Sequence, residues 1–117
     1  MAYVEGFLVP VKSARFAEYA AIAAKGAVIW RDLGALAVME ARADNAPYGE
    51  VTSFPRAVML AEGEEVVFSY ILFRDRAHRD QVMAAAMAHK GFMALMDTDV
   101  MDGKRMIWGG FQSFVEA

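Results

Sequence analysis

The run Lys104–Val115 is the most strand-like stretch of the chain and lies at its end. A β-strand sends alternate side chains to opposite faces of its sheet. One face of this run reads Met106, Trp108, Gly110, Gln112 and Phe114; the other reads Ile107, Gly109, Phe111, Ser113 and Val115. Both carry large apolar groups, so both need cover. A chain of 117 residues with two helices can cover one face of a four-stranded sheet. The second face is therefore expected to be covered by another copy of the protein, which predicts a homodimer packed sheet to sheet.

Composition points the same way. Apolar residues make up 57% of the chain, above the 45–50% or so usual for globular domains. No apolar run approaches the roughly 18 residues that span a bilayer, so the excess fits a subunit interface and no membrane partner is expected. The start, Met1-Ala2-Tyr3-Val4-Glu5, lacks the basic and apolar regions of a signal peptide. With no cysteine, neither disulfides nor thiolate chemistry is available, and a cytoplasmic location is expected. A net charge of −3 with interspersed signs argues against nucleic-acid binding, which needs a basic patch.

The chain reads in order as follows. Tyr3 to Val9 forms a strand that Pro10 ends or places at an edge. Ser13 is a candidate N-cap for a helix reaching Leu33, with Gly34 as its C′ residue. Phe16, Tyr19, Ala20, Ala23, Ala27 and Trp30 form its apolar stripe, and Ile22 and Ile29 fall on the other side. A second strand runs from about Ala35 to Ala43, followed by a turn-rich loop over 44–55 with no helical period. Arg56 to Leu60 is expected as a short edge strand, and Val66 to Phe73 as the third long one, entered by the acidic turn Glu62–Glu65. Asp75 caps a second helix carrying Arg79, Val82, Met83, Ala86 and Met87 on one stripe, which Lys90-Gly91 breaks. The order β-α-β-β-α-β over residues 1–117 predicts a single α+β domain. Its expected architecture is a ferredoxin-like plait, a four-stranded antiparallel sheet with its helices on one face.

Three blocks carry a family resemblance: Tyr3–Phe7, Glu65–Tyr70 and Asp102–Phe111, with Pro47, Gly49, Val51, Thr52 and Phe54 adding a loop pattern. In these the chain resembles the YbaA-like family of small bacterial proteins of unknown function. Glu5 and Tyr70 depart from the family pattern of Asp and Trp but keep charge and aromaticity. The resemblance implies a dimeric α/β barrel, a fold shared by antibiotic-biosynthesis monooxygenases, muconolactone isomerases and stress-responsive barrel proteins. It implies no mechanism.

The candidate pocket residues are Glu5, Glu40, Arg42, His78, Lys104, Arg105 and Trp108. Glu40 and Arg42 stand at i and i+2, hence on one strand face, where they fit either an anchor for a polar substrate or an ion pair. His78 and His89 are the two histidines; on an unbroken helix eleven residues place them about 16 Å apart, too far to share a metal. Either fits a general acid or base or a solvated helix surface. Lys104 and Arg105 suit an anionic group or a wet turn. Gly109-Gly110 marks a close approach, a bulge or dimer packing. Trp108, Phe68, Tyr70, Phe111 and the methionines fit an apolar pocket or a core. No Walker loop, GxGxxG, HExxH or GxSxG occurs, so no cofactor is expected, although the fold can hold haem on a histidine. Two functions remain open: a small-molecule-binding protein or cofactor-free enzyme, and a non-catalytic interaction or stress-related module working through loop 44–55.

Overall fold

In the computed structural model, which describes residues 1–117, four strands form one antiparallel sheet: β1 (Tyr3–Lys12), β2 (Ala37–Arg42), β3 (Glu64–Phe73) and β4 (Ile107–Gln112). Their spatial order is β2-β3-β1-β4. The helices are α1 (Phe16–Asp32), α2 (Phe54–Ala57), α3 (Arg76–Met87) and α4 (Lys90–Met96). This is the α+β plait expected from the element order. No helix is long and apolar enough to cross a membrane.

β1 and β3, ten residues each, pair along their full lengths, from Tyr3 opposite Phe73 to Lys12 opposite Glu64. β1 runs straight through Pro10 instead of stopping there. The Pro10 carbonyl accepts from the Asp102 N–H, so its nitrogen also points away from β3. β4 pairs with β1 no further than Leu8, so the missing donor costs no ladder bond. The end of α1 follows the sequence expectation. Gly34, at a φ of 119°, donates to Arg31 while Ala35 donates to Trp30, the paired bonds of a Schellman stop that favours glycine. Its start differs: a 3₁₀ turn, Ser13–Arg15, leads in, and Ser13 makes no side-chain cap.

The register assigns every strand residue to a face. Tyr3, Glu5, Phe7, Val9 and Val11 point toward the helices with Val67, Ser69, Ile71 and Phe73. Val38, Glu40 and Arg42 of β2, and Trp108, Gly110 and Gln112 of β4, share that face. Two core clusters lie here. One groups Tyr3, Trp30, Ile71, Phe73, Val82 and Phe92; the other groups Val9, Val11, Tyr19, Val67 and Val100. Ile22 and Ile29, placed by periodicity on the outer side of α1, pack against these clusters. The helix is turned so that Ala20 and Ala24 are exposed instead.

The opposite face is covered at one end only, where Phe54 of α2 meets the Phe68 ring edge-on with centroids 6.1 Å apart and Val66 is buried. Val4 and Leu8 of β1, Met39 and Ala41 of β2, Phe68, Tyr70 and Leu72 of β3, and Ile107 and Phe111 of β4 form this face. Phe68, Met39 and Phe111 remain 45%, 47% and 66% exposed. A contiguous apolar patch of this kind marks an interaction surface.

Three local expectations are corrected. Residues 56–60 form no edge strand: Pro55 starts the single turn α2, whose first turn the Ser53 hydroxyl caps by accepting from the Arg56 N–H at 3.1 Å. The break expected at Lys90-Gly91 falls slightly earlier: α3 ends at Met87 and these two residues open α4, whose start His89 Nδ1 caps by accepting from the Phe92 N–H at 2.9 Å. β4 begins at Ile107, since residues 103–105 form a turn.

Gly110 sits beside Glu5 in the β1–β4 register, and the Tyr3 ring lies over it. A methyl group there would approach Tyr3 Cε1 to 2.7 Å and Cζ to 2.8 Å. Gly110→Ala is therefore expected to destabilise the fold by about 1–3 kcal/mol, read by urea denaturation. The neighbouring Gly109→Ala, which meets nothing closer than 3.6 Å, should cost less.

Candidate functional site

The helix-facing side of the sheet holds two acidic side chains with contrasting surroundings. Glu5 is wholly buried. Its Oε1 accepts from Arg79 Nη1 at 3.0 Å, and Arg79 Nη2 donates to the Tyr3 hydroxyl at 3.1 Å. Arg79 Nε lies 2.9 Å from Asp80 Oδ1. Glu5 Oε2 has no partner. Desolvation raises the Glu5 pKa, Arg79 opposes that rise and Asp80 adds to it. A closed cluster of this sort is a structural ion pair.

Glu40 lies in the open. A cleft of roughly 310 Å³ runs between α1 and β2, lined by Phe16, Tyr19, Ala20, Ala23, Ala24, Ala27, Val38, Glu40, Ala41, Arg42 and Val67. The alanines of α1 make it: with methyl groups on that flank, the helix cannot fill the space above β2. The sequence-predicted stripe therefore splits, with Tyr19 and Trp30 buried and the small residues lining the cleft. Its size falls at the small end of ligand pockets.

Glu40 Oε1 accepts from the Tyr19 hydroxyl at 2.7 Å, and Ser69 faces it across the strand pair. Desolvation pushes the carboxyl above the usual carboxylate range, against the hydrogen bonds from Tyr19 and Ser69. The same burial, with the carboxyl beside it, pushes the Tyr19 phenol up, so it stays a donor. No cation is bonded to Glu40. A carboxyl held this way can take a proton from a bound acid or accept a ligand hydrogen bond.

Arg42 closes one end of the cleft. Its guanidinium lies over the Phe16 ring, 3.8 Å from the centroid. Its Nε stands 2.9 Å from Glu65 Oε1 and donates to Oε2 at 3.2 Å. Glu40 and Arg42 thus share the cleft, but each has another partner and they form no ion pair with one another.

The remaining sequence candidates lie elsewhere. His78 is buried, not at the helix surface: its Nδ1 accepts from the Arg74 N–H at 3.0 Å and its ring meets Phe73 edge-on. With His89 capping α4, the two histidines sit on separate helices. Arg105 forms a clasp, its Nη2 2.6 Å from Glu64 Oε2 and its Nε 2.8 Å from Asp102 Oδ2, with Nη1 on the Met59 carbonyl. Lys104 is exposed in the same turn. Trp108 is 63% exposed at the β4 edge, on the helix-facing side and away from the cleft. Sequence reasoning missed Tyr19, Glu65, Ser69 and Arg79. Two signals pointed to Arg79: its place in the apolar stripe of its helix, and a Glu5 on an apolar strand face that needs a cation.

The sheet, its single helical layer and the cleft define a ferredoxin-like α+β plait with one open sheet face. The chain belongs to the family described as "Protein of unknown function (DUF1428)", whose model matches residues 2–103. It is 39% identical over 116 residues to the uncharacterized protein YbaA of Escherichia coli strain K12, covering 99% of each chain, and equally similar to YbaA of Shigella flexneri. Among solved structures it resembles SnoaB, a cofactor-independent oxygenase from Streptomyces nogalater. That match has a TM-score of 0.67 over 98% of this chain and 95% of that one, at 13% identity. This last likeness shows the fold alone.

The raised pKa of Glu40 has a signed consequence. A carboxyl that binds its proton more tightly when folded contributes most stability below its unfolded value near 4.5 and loses that contribution as pH rises through the folded pKa. Stability of the parent relative to Glu40→Gln is expected to fall as pH is raised from 4 upward, then flatten. Thermal melts of both proteins across pH 4–8 measure it, and a constant difference would contradict it.

Proposed function

We propose that this protein is a cytosolic homodimer that binds a small organic molecule in the cleft between α1 and β2. The observation that carries the reading is the Glu40 carboxyl, held by the Tyr19 hydroxyl at 2.7 Å on the floor of a cleft lined mostly by apolar side chains, with Arg42 at its end. Few polar groups on an apolar wall are what orient a ligand in a pocket. Glu40 also suits proton abstraction from a bound carbon or oxygen acid, a step that side chains alone can perform. A cofactor-independent reaction is the enzymatic form of this proposal, and the description of SnoaB is compatible with it.

The open face supports the dimer. Two such faces brought together bury the aromatic and aliphatic rows of all four strands, an apolar contact of the kind found in obligate interfaces. Phe68→Glu on the central strand β3 is expected to convert a dimer to a monomer by light scattering. An unchanged mass, with unchanged far-ultraviolet circular dichroism, would refute the sheet-to-sheet arrangement. Trp108 does not test it, because it lies on the other side of the sheet.

A second reading rests on the loop between β2 and α2. Arg56 Nε and Nη2 bond the carbonyls of Tyr48 and Gly49 at 2.8 and 2.9 Å, yet Tyr48 and Val51 stand 51% and 89% exposed. A built loop with apolar side chains outward suits a protein partner. A variant that fills the cleft separates the two readings. Ala24→Trp is expected to keep the fold and abolish small-molecule adducts in native mass spectra of protein purified from its own host. Adducts unaffected by this change would overturn the cleft reading.

A further inference from the structure

Arg42 uses little of its hydrogen-bonding capacity. Of its donor nitrogens Nε alone makes a hydrogen bond to the protein, to Glu65; neither Nη makes one. The guanidinium, on a side chain 51% exposed, lies over the Phe16 ring and is tied through Nε to Glu65. Glu65 is itself largely buried, at 19% side-chain exposure, so it is a firm tether. The result is an oriented planar fork with its two outer nitrogens free at the mouth of an apolar cleft. A surface arginine serving only solubility needs neither the stacking nor the tether. A guanidinium fork matches a carboxylate, which it can hold by two parallel hydrogen bonds.

Resting on the reading of this cleft as a ligand site, we propose that its ligand is an organic carboxylate with a compact apolar body, and that Arg42 is the residue that reads its charge. Two residues along a strand separate Arg42 from Glu40 by about 7 Å. The ligand therefore carries its carboxylate at one end and a hydroxyl, amide or acidic C–H at the other, where Glu40 receives it. Between them Phe16 and the α1 alanines contact the apolar body. Glu65 leaves both Nη to the ligand, while its negative charge offsets part of the guanidinium's attraction for a carboxylate, so it moderates affinity as well as orienting the fork.

The test uses a panel of naphthalene, benzene and cyclohexane carboxylates, each paired with its uncharged carboxamide, titrated into the full chain by calorimetry. The carboxylates are expected to bind at least about tenfold more tightly than their amides, the scale of a charge-assisted bidentate contact. Arg42→Met keeps an apolar stem over Phe16 and should erase that preference, so that acids and amides bind alike. Glu65→Gln should strengthen carboxylate binding, and added salt should weaken it while leaving the amides unaffected. Equal affinity for acids and amides, with both lost in Ala24→Trp, would overturn the charge-reading role and leave the cleft as the ligand site. A preference for acids that survives Arg42→Met would overturn it as well. Absence of binding across the panel would overturn the carboxylate assignment, and the persistence of host-derived adducts lost in Ala24→Trp would show that the cleft itself still binds.

Discussion

A four-stranded sheet has two faces, and the long helices of this chain cover one, while the single turn of α2 reaches only an end of the other. The long pairing of β1 with β3 and the addition of β4 on the far side of β1 put four apolar rows on that second face. Everything on the helical side is then built around that asymmetry. α1 and α3 must bury the aromatic and β-branched residues of β1 and β3, and they reach the edge strands less completely. Both β2 and β4 are consequently left partly bare on the helical side as well: β4 shows Trp108, and β2 shows the floor of the cleft.

That difference in cover decides the fate of two glutamates on one sheet face. Glu5 lies on central β1, where α3 brings Arg79 directly over it and the Tyr3 phenol completes the cluster. The pair is closed, and removing either member would strand a buried charge at a cost of roughly 3–5 kcal/mol. Glu40 lies on edge strand β2 beneath a helix flank of alanines. Burial raises its pKa as it raises that of Glu5, yet no guanidinium answers it. The same chemical group is structural in one place and available in the other, because one helix presents a long cation and the other presents methyl groups.

Much of the fold was legible along the chain, and the reasons are local. Apolar, β-branched and aromatic runs over Tyr3–Val9 and Val66–Phe73 show strands, Gly34 stops a helix, and Asp75 caps one, its Oδ1 accepting from the His78 N–H at 2.8 Å. What misled was also local in cause. Ser53-Phe54-Pro55 is a helix start that a short apolar run disguises as a strand. His89, read as a general acid or base or a solvated helix-surface residue, is the cap of the next helix. On α1 the stripe was right for Tyr19 and Trp30 but left out Ile22 and Ile29, which pack against the core while Ala20 is exposed, since periodicity alone does not fix the rotation of a helix over the strands beneath it.

The sequence by itself determined the order of elements, the apolar rows on both sides of the sheet and the presence of Glu40 and Arg42 on one face, because strand and helix periods are properties of neighbouring residues. It also held the two anomalies that point inward, a glutamate in an apolar strand and an arginine in an apolar helical stripe. The tertiary structure alone decided that Glu5 finds Arg79 seventy-four residues away while Arg42 turns from Glu40 to Glu65, and that Tyr19 rather than Arg42 holds the Glu40 carboxyl. Pairings of this kind depend on strand order and on the rotation of each helix about its axis, which are settled by packing the whole core at once.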